Sequence, residues 1–291
     1  MNQPPQRVAA VAAPDAYVLP TRLSDADARV LDAYRQTQFV LGPDLDLFAE
    51  AMSLQVRLIK EARPPQYRTP SQAGIAALWS RAFFCLSDGL VLVTRGSYPS
   101  ALPLVRAACE LIAAQEGLRG GEIEEHNAWL AGALRPDEAH KAVDVGLGRY
   151  FSGASIAKDD VLRGVYRPVS DLARPNFGAS MLQVGPESNQ RLVSISFGDP
   201  SFHLGWAELI LGWLLALAAR QIRLVIDAEG VFFPIAEDAH AGYGSLQARV
   251  DAALARSDRC RVEEIEEGNL RRYLVHNFRR GSGASPKRFL L

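Results

Sequence analysis

Two apolar helical stretches joined by almost no chain dominate this sequence. Ile75, Leu78, Trp79, Ala82, Phe83, Leu86, Leu90 and Val93 recur at spacings of three and four, which places them on one wide stripe of a helix opening at Ser71. The stripe stops at Arg95-Gly96-Ser97. A second helix runs from about Pro99 to Leu118, with Leu102, Val105, Cys109 and Ile112 on one face and Leu104, Ala108 and Leu111 beside it. So short a turn predicts an antiparallel helical hairpin.

The rest of the chain is read around that hairpin. Residues 1–20 are rich in Pro and Ala and read as an extended arm, with helices over 21–69. Ser24 caps the first helix, Gly42-Pro43 breaks it, and Asp44 caps a second that runs to about Ala62. A central bundle is expected over 70–228, with shorter helices at 121–134 and 136–150, one at Val161–Leu172 ended by Arg174-Pro175-Asn176, and a long one at Phe202–Asp227. Leu182-Gln183-Val184 and the alternating Leu192–Phe197 flank a turn cluster, which predicts a small β-hairpin at about 182–197. Residues 229–291 read as peripheral helices with a basic tail. The expected class is mainly α, a helical bundle with a small hairpin and peripheral helices.

Composition sets outer limits. Hydrophobic residues are 48% and charged residues 22% of the 291, which suits a globular chain rather than a disordered one. Thirty-two basic against 33 acidic side chains give a net charge of −1, so no global field attracts nucleic acid. Val8–Ala13 is too short for a signal-peptide core, and the longest apolar run, Leu209–Ala219, falls short of the roughly 20 residues of a membrane span. The three cysteines are scattered, with no C-x-x-C spacing, which disfavours a disulfide framework or zinc site. These readings lead to the expectation of a cytoplasmic protein with no membrane partner, no metal site and no cofactor. G-x-S-x-G, G-x-G-x-x-G and H-E-x-x-H are all absent, so common hydrolase, dehydrogenase and metalloprotease chemistries have no support.

Two segments carry a family pattern. Arg95-Gly96-Ser97-Tyr98 leads into Leu104-Val105-Arg106-Ala107-Ala108-Cys109-Glu110, and Tyr166, Ser170, Arg174, Pro175 and Asn176 follow in a second helix. Together they resemble uncharacterised bacterial helical proteins related to the HEPN superfamily, whose motifs read R-G-x-Y, L-x-R-x-x-x-E and Y-x-x-x-S-x-x-x-H-P-N. The resemblance spans about 70–225 and implies an all-α bundle, in a superfamily of toxin and phage-defence ribonucleases and inactive binding modules. Arg174 stands where the family has histidine. Arginine stays charged and passes no protons, although it can hold a phosphate or carboxylate bidentately. Read from the residues alone, Arg106 and Glu110 are four apart and can pair, and Tyr166, Ser170 and Asn176 could complete a polar network. Arg106, Glu110, Tyr166, Ser170, Arg174 and Asn176 are therefore the candidate ligand residues.

Two further patterns bear on chemistry. Arg271 and His276 are similar to the R-x4-6-H signature of HEPN ribonucleases, in which histidine would move a proton and arginine would stabilise phosphorane charge. On an ideal helix five steps of about 100° separate the two side chains by about 140°, so they converge only if the helix ends between them or a dimer partner supplies the second set. Asp137-x-x-His140 and Glu237-x-x-His240, preceded by Glu110 and Glu208, follow the order of a di-iron bundle. Three functional expectations result: a HEPN-like module, linked to stress or phage defence, that binds RNA or a protein partner with weak metal-independent ribonuclease activity; a non-catalytic homodimeric scaffold; and a di-iron enzyme.

Overall fold

The computed structural model describes residues 12–61, 70–119, 136–137, 142–143, 154–184, 188–194, 197–228, 237–267, 270–281 and 288–291. Among them the protein is mainly α, with a small antiparallel sheet. The helices are α1 (Ala28–Glu61), α2 (Pro70–Thr94), α3 (Tyr98–Gly117), α4 (Ala154–Lys158), α5 (Asp160–Leu172), α6 (Phe177–Val184), α7 (Leu204–Asp227) and α8 (Glu237–Leu254). β1 (Pro136–Asp137) pairs antiparallel with β2 (Ala142–Val143), and β3 (Arg261–Glu267), β4 (Leu270–His276) and β5 (Phe289–Leu290) form a second sheet in that order.

The hairpin predicted around Arg95-Gly96-Ser97 is present: α2 and α3 pack along their length. Both lie against α7, which is apolar all round its Leu209–Ala219 stretch and is buried accordingly. Leu90 and Leu214 share this core with Val105 and Ile112, and α1 closes it from the far side through Leu45, Phe48 and Met52. Buried amides fix the register of the layers, because each must find its partner away from water. Gln115 and Gln221 exchange reciprocal hydrogen bonds of 2.9 Å between α3 and α7. Gln55 of α1 accepts from Trp79 Nε1 of α2 at 2.8 Å. Two stretches, Gly74–Thr94 and Leu204–Asp227, are long and apolar enough to cross a membrane by length and composition; the second is 83% buried in this core.

The break expected at Gly42-Pro43 is present: Leu41 leaves the helical region (φ −114°, ψ 17°), so Ala28–Glu61 is two helical arms meeting at a kink just before the proline, and the label α1 covers both. Several sequence expectations are corrected. Leu182-Gln183-Val184 ends α6 rather than forming a strand, and residues 188–194 are irregular. The hairpin lies instead at β3–β4, in the segment read as peripheral helices, with the register Arg261↔His276 to Glu267↔Leu270. Pro136–Asp137 and Ala142–Val143 are paired strands where a helix over 136–150 was expected. The expected helix at 121–134 lies outside the described residues. Of the expected arm, residues 12–20 are neither helix nor strand, and Tyr17 seats its ring edge-on against Phe48 and Phe83 at 6.0 Å each.

Candidate functional site

The six residues expected to share a ligand site fall into two groups, Arg106, Glu110 and Tyr166 in one and Arg174 and Asn176 in the other, with Ser170 turned inward. Arg106 spends its guanidinium on Glu110 of its own helix (Nε–Oε1 3.0 Å) and lies 5.7 Å from the centroid of the Tyr166 ring, all at the surface between α3 and α5. Ser170 turns inward, and its buried Oγ has no hydrogen-bond partner among the described residues. Arg174 is exposed and 4.0 Å from Asp171. Asn176 serves local structure: its Oδ1 accepts from Ala179 N at 2.8 Å at the start of α6, and its amide donates to the carbonyls of Asp171 and Arg174. Helix pairing takes up Arg106 and Glu110 and helix capping takes up Asn176, whereas the Ser170 hydroxyl is not engaged among the described residues.

Arg271 and His276 stand on β4, not on a helix. Five residues apart on a strand, their side chains point to opposite faces. Arg271 pairs with Glu264 (3.1 Å) on the face that meets α5, where Arg167 also reaches Glu264 (2.9 Å) and Tyr273 donates to Asp171 (2.7 Å). His276 Nε2 bonds Glu263 at 2.8 Å on the other face. In the described part of the basic tail two arginines have partners within the chain. Arg279 is buried and donates to the Asp258 carbonyl at 2.7 Å, and Arg280 reaches Asp199 at 3.5 Å. Lys287 lies outside the described residues.

Among the described residues the two lone glutamates of the di-iron pattern are not brought together. Glu110 sits at the surface with Arg106, Glu208 is deep in the core, and His140 lies outside the described residues. Among the described residues no three His, Cys, Asp or Glu side chains are placed to share a metal ion. Glu208 instead anchors the C-terminal segment. Its Oε2 accepts from Cys260 N at 2.9 Å, while Arg279 and Arg256 approach its Oε1 at 3.9 and 4.0 Å. Arg259 binds the buried carboxylate of Asp44 on α1 and donates to the Glu208 carbonyl at 2.9 Å. Burial raises the Glu208 pKa, because desolvation outweighs the Cys260 N–H and the three guanidiniums. Two glycines admit this segment: a Cβ on Gly205 would stand 3.1 Å from Phe278 Cα and Arg279 N, and one on Gly212 would stand 3.1 Å from the Arg259 guanidinium.

A cavity of about 320 Å³ opens where the α2–α3 turn meets the loop before α7. Gly96 (φ +73°) makes the approach feasible, since a Cβ there would lie 1.9 Å from the Pro200 carbonyl oxygen. Gly198 (φ +59°) shapes the opposite lip. Tyr98 is buried with its hydroxyl accepting from His203 N at 3.1 Å; burial pushes its pKa up to about 12, so the phenol keeps its proton. His203 caps α7, its Nδ1 accepting from Trp206 N at 3.2 Å, which puts the hydrogen of the neutral ring on Nε2. Asp199 accepts from Ser201 Oγ at 2.5 Å and Ser201 N at 3.1 Å, then from Arg280. The Ser201 hydroxyl foremost, with Arg280 adding to it, holds the Asp199 carboxyl below its ordinary value. Ser97, Ser100 and Gln183 add polar atoms to the wall, and Leu182, Pro99 and Pro200 add apolar surface.

Asp199, His203 and Arg280 were not among the sequence candidates. Two local signals mark them: Gly198-Asp199-Pro200 is a turn sequence, and His203 stands at the cap position of the longest apolar run. Nothing local joins Arg280 to them. Comparisons with protein-family models, curated proteins and solved structures find no match for this chain.

Proposed function

We propose that the protein is a non-catalytic helical binding module whose ligand site is the cavity between the α2–α3 turn and the start of α7. The observation that carries this reading is the convergence of Tyr98, Asp199, His203 and Arg280, from three segments distant in sequence, on one concave space of about 320 Å³. That volume is at the small end of ligand pockets, and a few placed polar groups against apolar walls are their usual lining. The resemblance to HEPN-related bundle proteins fits inside this reading, because Gly96, Ser97 and Tyr98 of its first motif form one wall. The ribonuclease version has less support: Arg271 and His276 point to opposite faces of β4, and each is engaged by its own glutamate. Thermal denaturation with free amino acids, inorganic phosphate, nucleotides and sugars tests the reading. One class should raise the Tm of the wild type and leave Ser100→Trp, in which an indole fills the cavity from an exposed rim position, unchanged. No rise with any class, or an equal rise in both proteins, overturns it.

A second reading, a homodimeric scaffold, rests on α2. Its Gly74–Thr94 stretch has a mean hydropathy of 1.5 yet is only 39% buried, and Phe84 is 62% exposed on it. Light scattering should then give twice the 31.8 kDa chain mass for the wild type and one chain mass for Phe84→Asp; a monomeric wild type ends this reading.

A further inference from the structure

We infer that the cavity takes an uncharged, hydroxyl-rich ring, a monosaccharide or a cyclic polyol; this rests on the cavity being a binding site. The charges at its lip are already matched within the chain. Asp199 Oδ1 accepts from the Ser201 hydroxyl and N–H and lies 3.8 Å from the Arg29 guanidinium, while its Oδ2 meets Arg280 at 3.5 Å. Arg280 has a further interaction within the chain. A ligand with a net charge would have to pull this set apart or sit beside it without a counter-charge, and either is costly in a space partly closed to water. An uncharged ligand leaves the set intact.

The neutral groups of the cavity are the ones with hydrogen-bonding capacity to spare. Ser97 stands at the cap position of α3, but its hydroxyl makes no capping bond. Ser100, three residues on, lies on the same side of that first turn, and Gln183 comes from α6. None of these three side chains bonds another described residue. Serine hydroxyls and a glutamine amide both donate and accept, as does each hydroxyl of a polyol, so the two sets match in more than one orientation. Tyr98 adds a directed donor: it is buried, its Oη accepts from His203 N, and the phenol's own hydrogen is left for a ligand oxygen. Pro99 and Pro200 give saturated C–H surface for the face of a ring. A nucleobase has less to gain, because Trp206 is buried and packed edge-on with Phe278 at 5.2 Å, which leaves little aromatic face for stacking. A volume at the small end of ligand pockets suits one ring rather than a chain of them.

Titration calorimetry on the full chain tests the inference with glucose, galactose, mannose and myo-inositol, with the amino sugars, uronic acids and inositol phosphate that add a charge to the same rings, and with glycine, inorganic phosphate and adenosine. At least one uncharged ring should bind one to one, and its charged counterparts should bind at least tenfold more weakly. Ser100→Ala and Gln183→Ala, both at exposed positions, should each lower that affinity about fivefold, the usual effect of losing one neutral hydrogen bond. A charged counterpart that binds as tightly as its parent ring overturns the inference and leaves the binding module standing. So does binding of glycine, phosphate or adenosine with no uncharged ring bound. An affinity that neither substitution changes, or no binding by any probe, overturns both.

Discussion

At Gly96 the backbone φ is +73° and the space where a Cβ would go is taken by the Pro200 carbonyl oxygen, 1.9 Å away. Gly198 has nearly the same dihedral, +59°, but nothing within 4 Å. The pair separates two costs that usually arrive together. Left-handed backbone alone costs an L-residue about 1–2 kcal/mol. At Gly96 the added carbon must also drive the turn away from the loop, opening the cavity lip. Gly198→Ala should therefore lower stability by about 1 kcal/mol and Gly96→Ala by about 3 kcal/mol, a loss of the size seen when a core contact is forced apart. Urea denaturation midpoints check this; equal losses would mean that the turn and loop separate freely. The same residues show what a sequence holds at this scale. Gly96 stands out as a turn residue, but the oxygen that makes it necessary belongs to Pro200, more than a hundred positions away.

Elements are tied to one another by side chains that do two jobs. Asp159 caps α5 by accepting from Leu162 N at 2.9 Å on one oxygen, and takes Arg220 Nε of α7 at 2.6 Å on the other. Arg220 continues to Glu116 of α3 at 3.3 Å, so one guanidinium between two carboxylates fastens three helices. Asparagine caps as well as aspartate, whereas alanine does not. Asp159→Asn should cost about 2 kcal/mol, since it removes one partner of a partly buried ion pair while Glu116 remains for Arg220. Asp159→Ala should cost about 1 kcal/mol more, the usual worth of a cap. Equal losses in chemical denaturation would show that the cap adds nothing to the pair. Elements with a strong period were legible in the chain: α2, α3, α5 and α7 lie where spacing and caps placed them, within a few residues. The β3–β4 hairpin was not. Val262 and Ile265 are three apart among glutamates, which are good helix formers, so the local pattern favours a helix until cross-strand pairing of Val262 with Val275 and of Ile265 with Arg272 overrides it. A signal was present in Gly268-Asn269 ahead of the β-forming Tyr273-Leu274-Val275. At 182–197 the reverse holds: alternation in Leu192–Phe197 has no neighbouring strand to pair with among residues 188–194, and alternation alone makes no sheet.

Across the whole molecule the C-terminal segment closes the bundle by electrostatics as much as by packing. Phe278 inserts between Trp206 and Phe289, with ring centroids 5.2 and 5.7 Å away, and around it Arg256, Arg259 and Arg279 share the buried carboxylates of Asp44 and Glu208. None of this was legible in the chain, because the acids sit on α1 and α7 and the bases beyond residue 255, with no spacing rule to relate them. The arrangement has a pH signature. Folding raises the Glu208 pKa above its ordinary value of 4.5, so the folded state binds the proton more tightly than the unfolded chain does. The contribution of this group to stability is complete below that value and is lost as pH rises through the raised one. Asp199 has the opposite sign: its depressed pKa contributes stability above 3.8, and this is lost as pH falls through the lower value. Glu208→Gln keeps an acceptor for Cys260 N–H and removes only the first effect. Its stability relative to the wild type should therefore improve as pH climbs from about 4.5 toward neutrality, while Asp199→Asn should lose ground to the wild type as pH climbs through the acid range up to the ordinary value of 3.8. Denaturation free energies measured across that range decide the matter. A Glu208→Gln difference that stays flat with pH would mean that the three arginines hold Glu208 ionised at its ordinary value, and that the clamp is a neutralised ion cluster rather than a desolvated acid.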